Sequence, residues 1–252
     1  MKNRIIQMLL VSGLSLTAVQ ACAQFGPPPA APIENAREAA PIDITGYWVA
    51  LVTEDWRFRM ITAKAGDYEG IGLTPKGREI ANAWDPEADT ASGNACKAYG
   101  AGGLMRIPTR LHITWESDNV LKIETDAGKQ VRRLKFGPAR DNAGAGTLQG
   151  VSNAELLLER DSPFGPVTWG SIKAVTTDMA PGYLRRNGVP YGNQAELTEH
   201  YELLIGGDGT EYLMVIGDLA DPEHLTQLFT TSTNFKREPD GSKWNPTDCV
   251  AN

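Results

Sequence analysis

The chain has 252 residues, of which 41% are hydrophobic and 22% charged, with a formal net charge of −7. This is ordinary globular composition, enough for one substantial core. The acidic balance argues against a nucleic-acid partner held through its phosphate backbone, and pairs such as Arg132-Arg133 and Arg185-Arg186 read as solvated faces.

The first residues carry an export pattern. Lys2 and Arg4 precede an apolar run from Ile5 to Ala18, and Ala21-Cys22-Ala23 has the small-residue pattern of a cleavage site. Residues 1–23 are therefore expected to be a signal peptide, with a mature chain beginning near Gln24 in the periplasm or outside the cell. The segment is too short, and too interrupted by Gly13 and polar residues, for a lasting membrane span. Val19-Gln20-Ala21-Cys22 also resembles a bacterial lipobox, which makes a lipid anchor on Cys22 the alternative. Residues 24–40, with Pro27-Pro28-Pro29, read as a disordered Pro/Ala-rich spacer ahead of a single domain over 41–252. Removing the signal leaves Cys96 and Cys249, a natural disulfide pair in an oxidising compartment. Such a bridge closes a very long loop, worth about 4–5 kcal/mol on the chain-entropy model.

The folded part opens at Thr45 to Met60. Tyr47, Val49 and Leu51 alternate with Trp48, Ala50 and Val52, which predicts a first strand and the turn into a second. Thr74-Pro75 predicts a helix start with Thr74 as N-cap, ended by Asp85-Pro86. Residues 85–103 read as an irregular loop. Residues 110–116, 120–126 and 130–136 form a meander with tight turns. Further strands are expected over 148–160, 168–177, 195–205, 210–217 and 227–237, with Asp208-Gly209 as a hairpin turn. The predicted fold is mainly β: an antiparallel up-and-down barrel with nine or ten strands and one or two short helices, or else a β-sandwich. Pro181 to Tyr191 reads as a long connection, either a lid over a cavity or a packed loop.

Gly46-Tyr47-Trp48 resembles the Gly-x-Trp start of lipocalins. That resemblance implies an Arg from the last strand lying across the Trp, a place Arg237 fits. Leu73 to Gly77, Arg106 to Ile113, Arg186 to Tyr191, Thr198-Glu199 and Asp221-Pro222 are similar to landmarks of a large family of secreted bacterial proteins, known mainly as uncharacterised. The likeness implies export and a β-rich build, and carries no activity with it.

Three histidines occur: His112, His200 and His224. If the polar faces of their strands point inward, His112 and His200 meet across the barrel as a proton-transfer pair, with Arg57, Arg59 or Tyr191 stabilising negative charge. Asp55-Trp56-Arg57-Phe58-Arg59 reads either as a structural ion pair between Asp55 and an Arg or as a barrel-mouth site. There Arg57 or Arg59 holds an anionic or carbonyl group, and Tyr183 and Tyr191 lie on the connection above. No metal-ligand spacing, cofactor motif or Gly-x-Ser-x-Gly elbow occurs. The expected function is an exported, lipocalin-like binder of a small, partly apolar molecule. Alternatives are an acid–base lyase, isomerase or hydratase using the His pair, and a structural or interaction protein of the envelope.

Overall fold

The computed structural model describes residues 33–137, 142–162 and 165–251. The export signal, Cys22 and residues 24–32 of the spacer lie outside the described residues. The strands are β1 (Gly46–Leu51), β2 (Arg110–Ser117), β3 (Val120–Thr125), β4 (Val131–Phe136), β5 (Val151–Arg160), β6 (Val167–Thr177), β7 (Gly182–Arg185), β8 (Val189–Tyr191), β9 (Glu196–Ile205), β10 (Glu211–Ala220) and β11 (Phe229–Glu238). Among the described residues nine of these close into a barrel in the order β1-β11-β10-β9-β6-β5-β4-β3-β2, which sets the sandwich aside. β7 and β8 form a separate hairpin.

Alternation decides which side chains enter the barrel. Leu111 and Ile113 of β2, Leu121 and Ile123 of β3, and Leu213 and Val215 of β10 all point inward and are buried. Together with Trp48, Tyr201 and Phe235 they make one apolar cluster along the axis. The lumen expected to hold a ligand is thus occupied by side chains, as in small barrels whose interior residues meet across the axis.

Most neighbours pair antiparallel, but β4 and β5 run parallel, joined at Leu134–Ser152, Lys135–Asn153 and Phe136–Ala154. A parallel neighbour cannot follow a tight hairpin, so the chain returns the length of the barrel between them. The up-and-down order is broken there.

The helices are α1 (Ala36–Ala39), α2 (Trp56–Arg59), α3 (Pro75–Asn82), α4 (Pro86–Ala91) and α5 (Ala101–Leu104), more than expected. α3 starts as its sequence predicts, with the Thr74 hydroxyl accepting the Gly77 N–H at 3.1 Å. α2 replaces the expected continuation into a second strand. Asp55 adopts φ 52°, in the left-handed region, and its carbonyl then accepts the N–H groups of Phe58 and Arg59. The two-residue period fails there, and β1 leads into a long excursion before β2.

That excursion, the β7–β8 hairpin and the β10–β11 connection gather at one pole. They enclose a second apolar cluster with Leu73, Ala81, Leu184, Val189, Tyr191 and Leu225. Of the two readings of Pro181 to Tyr191, a lid or a packed connection, the packed one holds, as a hairpin. The opposite pole is plugged by residues 33–44, contrary to the expected spacer over 24–40. Ala36 is buried, and its N–H donates to Asn119 Oδ1 at 2.9 Å. Ile33, Ile42 and Ile44 join the barrel core. The Trp48 indole N–H closes this pole with a 2.9 Å bond to the Ile44 carbonyl.

The Arg237 guanidinium lies 4.2 Å from the Trp48 ring, the contact the lipocalin resemblance implies. It also donates to the carbonyls of Thr45 and Asp43. Gly46, at φ 108°, is needed there: a Cβ would stand 2.9 Å from Arg237 Nη1. After β11 the chain runs along the outside of the barrel. Trp244 packs edge-on against Tyr47 and His112, and Thr247 pairs with Ala127 in the β3–β4 turn. The expected Cys96–Cys249 disulfide then ties this strap to the capped pole.

Candidate functional site

Charge enters the barrel at one place. Arg132 on β4 shares a face with Leu134, and Glu199 on β9 shares a face with Leu197 and Tyr201. Their side chains meet in a bidentate fork, with Nη1–Oε1 at 2.9 Å and Nη2–Oε2 at 2.6 Å. Nη2 also donates to the Thr176 hydroxyl, which is bonded to Ser152 at 2.7 Å. Burial alone would push the guanidinium down. The Glu199 carboxylate outweighs it and holds Arg132 charged. Burial, with Glu199 alongside, keeps the Tyr201 phenol well above its ordinary range. Arg132 Nε and the Tyr201 hydroxyl have no hydrogen-bond partner among the described residues, but the guanidinium charge is matched in full by the Glu199 carboxylate, so the pair reads as structural.

The structure does not bring His112 and His200 together. Both stand on outer faces, opposite Leu111 and Ile113 in one case and Glu199 and Tyr201 in the other. β1, β11 and β10 separate their strands. His112 stacks on Tyr47 at 4.2 Å, beneath the C-terminal strap, and lies 3.3 Å from Glu124. A proton-transfer pair across the lumen has no geometric basis.

The arginines are different. Adjacent residues of a strand point to opposite faces, so the pairs read as solvated are split. Arg132 faces in while Arg133 faces out to Glu116, and Arg185 is 7% exposed. At the capped pole Arg185 joins Arg57, Arg59 and Arg106. Arg57 lies at the rim, where Asp67 at 2.6 Å and Glu69 at 2.5 Å hold its pKa up. Arg59 is buried and anchors the loop, with Nε donating to the Arg106 carbonyl at 2.9 Å and Nη1 paired to Glu54. Arg106 is paired to Asp55 and lies over the Phe229 ring at 5.3 Å.

Arg185 stacks on Phe58 at 3.7 Å, and Nη1 donates to the Glu69 carbonyl at 2.8 Å. Its ion pair, with Asp55, spans 3.7 Å, and Nε has no partner among the described residues. Burial pushes its pKa down to about 10, against the pull of Asp55 and with Arg106 adding repulsion. It stays charged at neutral pH, in a setting short of negative charge. Asp67 and Glu69 pair with Arg57 at the rim, from where Asp67 also acts weakly on Arg185. That leaves three buried guanidinium groups, of Arg59, Arg106 and Arg185, beside the carboxylates of Glu54 and Asp55 among the described residues.

These groups face a recess of about 520 Å³, lined by Asp55, Phe58, Glu69, Arg106, Arg185 and Phe229 among others, with Glu69 paired to Arg57. Of the two arginines expected at a barrel mouth, Arg57 and Arg59 occupy that pole as support. Arg106 and Arg185 line the recess. The sequence signal for them was weak: Arg106 lies in a loop with no period to place it, and Arg185 ends a four-residue strand too short to show one.

Tyr183 and Tyr191 border a separate groove of about 290 Å³. Tyr183 donates to Asp89 at 2.7 Å, and Lys97 pairs with the same carboxylate at 2.7 Å. Burial raises the pKa of both phenols. A larger recess of about 740 Å³ along the β5–β6 hairpin abuts Gly137, next to residues 138–141 outside the described chain, and no role is assigned to it.

Among the described residues no group of three or more His, Cys, Asp or Glu could hold a metal ion, and no helix is long and apolar enough to cross a membrane. No family model, curated protein or solved structure matches the chain.

Proposed function

We propose that the protein is an exported, lipocalin-like binder that holds a small anion with an apolar body at the capped pole of its barrel, in the arginine recess. The observation that carries this reading is Arg185: a buried guanidinium, fixed on Phe58, with no carboxylate closer than 3.7 Å among the described residues. A guanidinium held flat presents its donors to a carboxylate or phosphate with little ordering left to do. Phe58, Leu228 and Phe229 supply an apolar wall for the rest of the molecule. Export is supported by the N-terminal pattern and by the disulfide.

Titration calorimetry with phenylacetate and its neutral amide, phenylacetamide, tests the reading. Phenylacetate should bind saturably and at least tenfold tighter than the amide, a preference of roughly 1.4 kcal/mol or more. Equal affinities, or no binding of either, would reject an anion site.

A further inference from the structure

The Asp221–His224 turn follows β10 and packs on the β7–β8 hairpin. Asp221 is buried, and its carboxylate accepts the N–H groups of Gly192 at 2.7 Å, Glu223 at 3.1 Å and His224 at 3.3 Å. It also meets His224 Nδ1 at 2.8 Å. A carboxylate already accepting three backbone donors fixes the ring: Nδ1 carries the proton and donates it, and in the neutral ring Nε2 is a bare acceptor. Nε2 has no hydrogen-bond partner among the described residues.

The ring is held from behind. A Cβ on Gly192 would stand 2.6 Å from His224 Cε1, so glycine is what lets the imidazole seat there. His224 lines the 290 Å³ groove, whose walls also include Ile80, Pro181, Pro190 and Tyr191. The two lysines on that groove are each spoken for, Lys76 by Glu223 and Lys97 by Asp89. The groove thus offers no unmatched charge. It offers apolar walls, room for one substituted ring, and a fixed acceptor nitrogen.

We propose that this groove is a second ligand site, distinct from the arginine recess, which takes a small neutral molecule carrying one hydroxyl group, a phenol or an alcohol on an apolar body. The hydroxyl donates to His224 Nε2, and Asp221 holds the imidazole in the tautomer that can accept. The site differs from the recess in the charge of what it takes, so either assignment can fail alone.

The test uses the full chain labelled with ¹⁵N-histidine, titrated with 4-methylphenol and, as the partner lacking the hydroxyl, toluene. Ring-nitrogen NMR should show a saturable shift of His224 Nε2 with 4-methylphenol, with His112 and His200 unmoved. Toluene should bind roughly five- to tenfold more weakly, the worth of one hydrogen bond. His224→Asn keeps an N–H able to reach Asp221 but is too short to place any acceptor at the Nε2 position, so it should erase the preference for 4-methylphenol while the fold is kept. Should that variant fail to fold, Ile80→Trp fills the groove from its outer side and leaves the dyad in place, and it should abolish binding of both probes. A shift spread over all three histidines, equal affinity for the two probes, or binding that survives Ile80→Trp would each overturn the assignment.

Discussion

Arg132 and Arg185 are both buried guanidinium groups, and they live in opposite circumstances. Arg132 meets Glu199 through two short parallel bonds inside the lumen, with Thr176 and Ser152 extending the network. Arg185 sits on Phe58 at the edge of a recess, 3.7 Å from a carboxylate that Arg106 already holds. A buried charge whose partner is complete is part of the scaffold, and removing either half leaves the other stranded in a low-dielectric interior. A buried charge whose partner is incomplete stays costly until something anionic arrives. On the proposed reading the same side chain serves the fold in one place and a ligand in the other, and what separates them is how far each charge is matched.

This contrast can be broken most sharply in the lumen. Glu199→Ala should destabilise the protein by about 3–5 kcal/mol in urea denaturation, since Arg132 is then buried without a carboxylate. Arg132→Met combined with Glu199→Leu should cost far less than that single change, because both charges go together. If the double variant is as unstable as the single one, the lumen pair does more than satisfy itself. Cys249→Ser comes next, at about 2–4 kcal/mol, and should loosen the capped pole more than the lumen in hydrogen exchange.

Arg185→Leu sharpens the other half. Its effect on stability should stay within about 1 kcal/mol, because an under-matched cation is exchanged for an apolar side chain, while phenylacetate affinity falls at least tenfold in calorimetry. A large loss of stability would place Arg185 with Arg132 as scaffold. The smallest expected effect is that of salt. Raising sodium chloride from about 0.05 to 0.5 M should weaken phenylacetate binding several-fold and leave 4-methylphenol binding unchanged.

Much of the barrel was legible because its strands obey a strict period. β9 and β10 with the Asp208-Gly209 turn, and the Thr74-Pro75 start of α3, lie where local chemistry puts them. The reading of Arg132-Arg133 as a solvated face overlooked the same period in the lumen pair. Glu199 falls on the face of Leu197, Tyr201 and Leu203, and Arg132 on that of Leu134 and Phe136, so each apolar face carries one charge of opposite sign. The histidines followed the same rule in reverse: their apolar neighbours point inward, which leaves His112 and His200 outside. What alternation cannot carry is long-range joining. The parallel seam of β4 and β5, the docking of residues 33–44 on the far pole and the α2 turn at Asp55 each depend on contacts or a backbone angle with no periodic trace. The recess and the groove are built from such segments, so only scattered members, Tyr183 and Tyr191 among them, were foreseen.

The plug and the strap together give the molecule a direction. Residue 33 enters at the plugged pole, while Cys249 is fastened beside the cap at the other. Residue 33 thus stands at the base of the barrel, at the end away from the arginine recess.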